Sequence, residues 1–410
     1  MNVEKQLTVP TPGTEPKKNP YYLHISFVYR LLKWGTLLLF AFYLVLMLVL
    51  CRDSITYENL MYLIRDLNIS TGAEGVFADV VYEEQQNMRF SSYQNSLAVA
   101  GSSGLRLYDS KGSAIFTDGL AYTSPVLESG DKYLLLYDAG GREYTLFTSL
   151  SRVEQRTTEN IIQHASISDS GAYCIVTRSD EAKYEITLYN SSFIRTARVY
   201  RDSYVISSAI HPDGSEAAVL STSYTGSTIS SEVMFCQAPF WEPESISLQD
   251  SLPLGAFYMA NGNLAVICDN GVYYLTGAEK QKSFIPFSGE TLSYFSVSDN
   301  KTALVCQRNI LGSSSRILVL DAQGNVLLEE FREEKVIGLT ASSGSECAYV
   351  LFEDHVEVLS VANGAIVPYS GRLLTVREVG GIPVLCFAER AETLQYSKTK
   401  NNGGLHESDS

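Results

Sequence analysis

LRLYDSKGSAIF, residues 105–116, has a counterpart in ILVLDAQGNVLL, residues 317–328. In both, two apolar runs flank a turn whose Asp and Gly stand at matching places, Asp109/Gly112 and Asp321/Gly324. Such a stretch forms a β-hairpin: Gly supplies the positive φ of the turn and Asp bonds the backbone two residues on, while the apolar flanks suit a pleated surface. Two copies so far apart in the chain predict a repeat, not one isolated hairpin.

Apolar strand cores recur outward from these hairpins, at SLAVAG (96–101), KYLLLYD (132–138), AYCIVT (172–177), EAAVLS (216–221), NLAVICD (263–269), TALVCQ (302–307), CAYVLF (347–352) and PVLCFA (383–388). Successive centres lie roughly 36 to 48 residues apart, the length of one four-stranded propeller blade. Most cores follow a turn rich in Asp, Gly, Asn and Ser: SDSG (168–171), HPDG (211–214), ANGN (260–263), SDNK (298–301) and SSGS (342–345). Turn formation accounts for these residues, and no metal site is expected from them. The fold class is therefore all-β, a single propeller over residues 76–397, with eight blades, or seven if one unit is an insertion. The last unit offers only three strands in RLLTVREV, PVLCFA and TLQYS, so VFADVVY (76–82) is expected to add the fourth and close the ring. Closure matters because an open array leaves a pairing edge exposed.

Upstream, WGTLLLFAFYLVLMLVLC (34–51) carries no charge and fits the roughly 20 apolar residues that cross a bilayer as a helix. Trp34, Leu38, Leu44 and Leu50 are its expected contacts with lipid, and Tyr21, Tyr22 and Tyr29 its interfacial aromatics. The helix is expected to begin with Pro20 in its first turn. Lys17, Lys18, Arg30 and Lys33 precede the run, which places the N-terminus in the cytoplasm. The run exceeds the apolar part of a cleaved signal peptide, and no A-x-A site follows before Tyr57. Leu48 is a poor fit to a lipoprotein signal ending at Cys51. Residues 1–20 form a polar tail, 21–51 the interfacial segment and span, and 52–75 a juxtamembrane stretch. There Leu60, Leu63, Ile64 and Leu67 have the spacing of an amphipathic helix. Residues 398–410 are a polar tail.

Of the 410 residues, 45% are hydrophobic and 19% charged, a globular composition. Residues 1–51 hold five Lys/Arg and two Glu, a charge of +3, which leaves 26 basic against 44 acidic residues, −18, for the rest. That excess argues against nucleic acid as a partner of the C-terminal part. The seven cysteines show no C-x-x-C, and six of them lie in apolar runs, so they read as buried filler.

The repeat resembles propeller repeats with an S-P-D-G turn, best matched by HPDG at His211–Gly214, and more loosely the quinoprotein-like and WD-repeat propellers. With the single span and YENLMYLIRDL (57–67), the chain resembles a family of membrane-anchored propellers from Firmicutes, domain of unknown function 5711. That resemblance implies location and fold and supplies no active residue.

Catalytic patterns are missing: there is no G-x-S-x-G, H-E-x-x-H, Walker loop or EF-hand loop. His164 and His355 have no evident Ser or Cys partner in sequence. A quinoprotein-like enzyme would be expected to carry an adjacent cysteine pair and tryptophan docking repeats, both absent here. No cofactor and no catalytic residue are therefore expected. The expected role is a protein-binding or scaffolding module of the cell envelope, with a ligand-binding sensor propeller, and after it a quinoprotein-like enzyme, as the alternatives. The expected partner edge lies in STSYTGSTISSE (221–232) and CQAPFWEPESISLQD (236–250), with Tyr224, Phe240 and Trp241 as contacts.

Overall fold

The computed structural model describes residues 20–50, 76–226, 228–237, 243–308, 314–362 and 364–396. The expected tails, the juxtamembrane helix, Cys51, Phe240 and Trp241 lie outside the described residues. The chain divides into two units, residues 1–71 and 72–410.

The first unit contains helix α1 (Pro20–Leu50), which begins at Pro20 as expected, where a missing N–H costs nothing. Its stretch Ile25–Tyr43 has a mean hydropathy of 1.4 and is long and apolar enough to cross a membrane. Nineteen residues at 1.5 Å each give about 28 Å, close to the thickness of a hydrocarbon core. Trp34 and Leu38 are exposed along it.

In the second unit the described residues form eight antiparallel four-stranded sheets. The blades span residues 89–118, 125–157, 162–201, 204–248, 253–286, 291–332, 338–368 and 373–393, numbered 1 to 8 in that order. First strands of neighbouring blades touch, blades 5 and 6 through the Phe257 and Phe295 rings at 5.9 Å, and Leu373–Val379 of blade 8 returns to Arg89–Tyr93 of blade 1. The first strands therefore surround a central channel.

Each recurrent core is the second strand of its blade, sandwiched between two neighbouring blades. Because side chains alternate along a strand, one core serves two seams. Leu97 and Val99 enter the seam between blades 8 and 1, while Ala98 and Ala100 enter the seam between blades 1 and 2. Leu264 and Val266 face blade 4, and Ala265 and Ile267 face blade 6. Burial on both faces explains why the cores are continuously apolar. Eight hydrophobic clusters fill the eight seams in this way.

The hairpin turns behave as their residues require. Asp109 Oδ1 accepts from Lys111 N at 3.0 Å and Ser113 N at 2.8 Å, and Asp321 Oδ1 accepts from Gln323 N and Asn325 N, both at 2.8 Å. Gly112 and Gly324 have φ of 77° and 89°, in the left-handed region that favours glycine.

The N-terminal strand closes the ring, but over fewer residues than 76–82. Val80–Val81 pairs antiparallel with Arg390 and Ala391 as the outermost strand of blade 8. On either side, Phe77 N donates to Thr393 Oγ1 at 2.8 Å, and the Tyr82 hydroxyl lies 2.8 Å from Phe387 O and 2.7 Å from Arg390 O. The third strand of blade 8 is Arg390–Thr393 and not TLQYS (393–397). Ala388 and Glu389 turn the chain back at once, so pairing begins earlier than the apolar pattern suggested, and Leu394 drops into the seam with blade 7.

Candidate functional site

Two features stand out from the regular ring, a projecting hairpin and the central channel. The hairpin belongs to blade 4, where Glu216–Thr225 and Thr228–Gln237 run ten residues each, against two to seven for the other described strands. The stretch expected to be an inter-strand insertion, 221–232, is thus strand. Its Ser, Thr, Tyr and Ile residues suit a ladder, and Gly226, at φ 67°, makes the tight turn between Thr225 and Thr228. The T-G-S-T signal was present in the sequence but masked by its polar composition. Tyr224 faces Ile229 across the ladder and is 57% exposed. The Tyr204 ring meets it edge-on at 5.9 Å, and Lys183 Nζ lies 4.1 Å from the Tyr204 ring centre. The tip therefore offers aromatic area beside a cation.

The channel gathers ionisable side chains from first strands far apart in sequence. A cavity of about 230 Å³ opens at one end, lined by residues of blades 2 to 6. Glu128 stands in it on Pro125–Ser129, partly buried among the blades and lining the lumen. Among the described residues no hydrogen bond or salt bridge engages its carboxylate. Burial pushes that carboxyl up to about 7, against the opposing charge of Arg377 on blade 8. Arg377 Nε donates to Phe90 O at 3.0 Å, and burial lowers its own proton affinity.

His164 lines the same cavity, and here the structure corrects the sequence reading that left it without a serine partner. Its Nδ1 lies 3.0 Å from Ser208 Oγ and accepts from Ser208 N at 3.4 Å, so the ring proton belongs on Nε2. Ser166 Oγ extends the chain, 3.0 Å from Ser208 Oγ. Burial pushes His164 down to about 4, which keeps it neutral. At the mouth, burial raises Asp169, helped by the charges of Asp131 and Asp299. These acids sit in the turns between first and second strands. Sequence identified them as turn residues; only the ring shows that the turns of blades 3 and 6 face one cavity.

Elsewhere, Glu216 ties blade 4 to blade 5. Tyr258 Oη donates to it at 2.5 Å and Gln237 Nε2 at 2.8 Å, and Lys280 Nζ also bonds it. Burial alone would raise this carboxyl, but those bonds overcome it and hold it below the ordinary range. On blade 7 and the connection before it, Glu334, Asp354 and His355 bring three ligand-type atoms within 4.8 Å of one another, a grouping found nowhere else among the described residues. His355 Nδ1 is 2.7 Å from Asp354 Oδ1, with both carboxylates exposed. Cys174, Cys236, Cys268, Cys306, Cys347 and Cys386 are free and buried, in keeping with their expected role as filler.

Residues 75–350 match the sequence profile of a family of unknown function, DUF5711. No curated protein matches the chain. Among solved structures, hydrazine synthase of Kuenenia stuttgartiensis aligns with a TM-score of 0.47 at 11% identity, over 73% of this chain and 99% of that one. The Pan2 WD40 domain of Neurospora crassa aligns with a TM-score of 0.42 at 10% identity, over 67% of this chain and 89% of that one. Neither likeness bears on chemistry.

Proposed function

The chain belongs to the DUF5711 family, and we propose that it is a membrane-anchored binding module of the cell envelope. In this reading α1 crosses the bilayer with its N-terminus in the cytoplasm, the propeller stands on the other side, and a protein partner docks on the blade 4 hairpin. The observation that carries the reading is that hairpin. Its strands are longer than those of the other blades, and near its tip it displays Tyr224, Ile229 and Tyr204 in the open, tyrosine being enriched at recognition surfaces. Phe240 and Trp241 follow Gln237, at the end of Thr228–Gln237 away from the tip, and the docking proposed here rests on the tip alone. The orientation is supported by the basic residues before the span.

A photo-crosslinking amino acid at position 224, expressed in intact cells, tests the docking. The expected result is a discrete crosslinked species that is missing when the same group replaces Ile366, 67% exposed on the outer strand of blade 7. Equal or no crosslinking at the two positions would refute it.

A further inference from the structure

The seam between blades 2 and 3 changes character toward its outer edge. The third strand of blade 3, Tyr184–Tyr189, sends Tyr184, Ile186 and Leu188 into the apolar cluster shared with blade 4. Its other face, Glu185, Thr187 and Tyr189, turns toward blade 2 and, with Thr177 on the paired strand, walls a cavity of about 160 Å³. Arg156 and Thr157, on the outer strand of blade 2, close the opposite side. Thr177 and Thr187 are both buried, and polar groups in a buried seam are costly unless something bonds them. Tyr144 is an independent sign of a ligand. It lines the same cavity, is 1% exposed, and its hydroxyl is buried with no hydrogen-bond partner. Tyr173, its ring centre 5.9 Å away, leaves its own hydroxyl unbonded as well. Folded proteins rarely leave such groups unsatisfied, and a ligand seated in the cavity would supply the missing bond.

The charges in the wall are already compensated. Arg198 Nε lies 2.9 Å from Glu185 Oε1, Arg156 Nε lies 2.6 Å from Glu154 Oε1, and Glu159 adds another acid. Neither an anion nor a cation therefore meets an uncompensated counter-charge. The capacity left over belongs to neutral groups, the hydroxyls of Tyr144, Thr157 and Thr177 and the amide of Asn160, which both donate and accept. The volume corresponds to roughly five waters at about 30 Å³ each. A single hexose ring carries a similar number of hydroxyls and exchanges water's hydrogen bonds for its own. We infer that the cleft between blades 2 and 3 binds one neutral sugar ring, a hexopyranose, whose hydroxyls bond Tyr144, Thr177 and Thr187.

The cleft is separate from the blade 4 hairpin, so failure of either proposal leaves the other standing. The test is saturation-transfer NMR of the full chain in lauryldimethylamine oxide, a detergent without a sugar headgroup. The probes are D-glucose, D-galactose, D-mannose and N-acetyl-D-glucosamine, with cyclohexanol and inorganic phosphate as controls. At least one sugar is expected to bind saturably and neither control to do so. Tyr144→Phe should weaken that sugar about fivefold, the loss of one neutral hydrogen bond. Without ligand the same variant should melt no lower than the wild type, because the hydroxyl it loses bonds nothing in the free protein. Thr187→Val should weaken the sugar by a similar factor. Tyr274→Phe, which removes another buried unpartnered hydroxyl, in the seam between blades 5 and 6, should leave it unchanged. No saturable sugar, a control bound as tightly as the sugar, unchanged binding in both Tyr144→Phe and Thr187→Val, or an equal loss in Tyr274→Phe would overturn the inference.

Discussion

Replacing Glu128 by Gln should make the protein more stable above neutral pH, although it removes a charge from a charged channel. Burial lifts the Glu128 carboxyl from its ordinary 4.5 to about 7. Between those values the folded chain holds a proton that the unfolded chain has released, so stability falls as pH rises through this window. At 1.36 kcal/mol per pKa unit, the ionised carboxylate costs the fold roughly 3 kcal/mol at alkaline pH. His164 works in the opposite direction, because burial takes it from 6.5 down to about 4. There the unfolded chain gains the proton first, and stability is lost as pH falls below 6.5, by a similar amount of roughly 3 kcal/mol. Over the shared window the two slopes oppose each other, so the wild type conceals both. Urea midpoints of the full chain in detergent, taken from about pH 4.5 to 8.5, separate them when the variants are compared with the wild type. Glu128→Gln should match the wild type at the acid end and exceed it by roughly 3 kcal/mol at the alkaline end. His164→Asn should lose the acid-side decline, and the double variant should flatten the difference. Parallel profiles for all four proteins would refute the claim that these two groups are buried and unpaired as charges.

Closure and interblade ties give further expectations. Tyr82→Phe removes the hydroxyl bound near Phe387 O and Arg390 O and should cost about 1 kcal/mol in urea denaturation. Deleting residues 76–82 removes Phe77 and Val80 from the seam and bares the edge of Arg390–Thr393, so thermal melting should drop steeply and aggregation should rise; unchanged melting would reject closure. Glu216→Ala strands Lys280, whose side chain is 13% exposed, and should cost about 3–5 kcal/mol, with Lys280→Met in the same background recovering part of the loss. Burial pushes the thiols of Cys174, Cys268, Cys306 and Cys386 up to about 12 and that of Cys236 to about 11. Those five should therefore resist alkylation in the native protein, while all seven cysteines of the chain react in denaturant.

The repeat was legible because a propeller is built from local hairpins. Each core, such as SLAVAG or NLAVICD, faces two seams and must be apolar throughout, and each turn, such as Asp109–Gly112, carries its own φ requirement. Closure by the N-terminal strand was legible from a missing strand in the last unit. Exact pairing was not, because Val80–Val81 is chosen by the position of Arg390 and Ala391 and not by its own pattern. The long blade 4 hairpin escaped because its strands are Ser- and Thr-rich and face solvent at the tip. The channel escaped for a deeper reason. Glu128, His164 and Ser208 belong to three blades, and a charged residue within PVLES (125–129) gains meaning only once that strand is known to face the lumen.

An envelope partner can reach the ring only if the ring stands on the far side of the membrane from the N-terminus. The direct test is a single cysteine at Val361, 71% exposed on blade 7, in a Cys51→Ser background where the buried native thiols stay silent. Intact cells are treated with a membrane-impermeant maleimide. Full labelling at position 361 is expected without permeabilisation; labelling that occurs only after the membrane is opened would place the ring in the cytoplasm and refute the proposed topology.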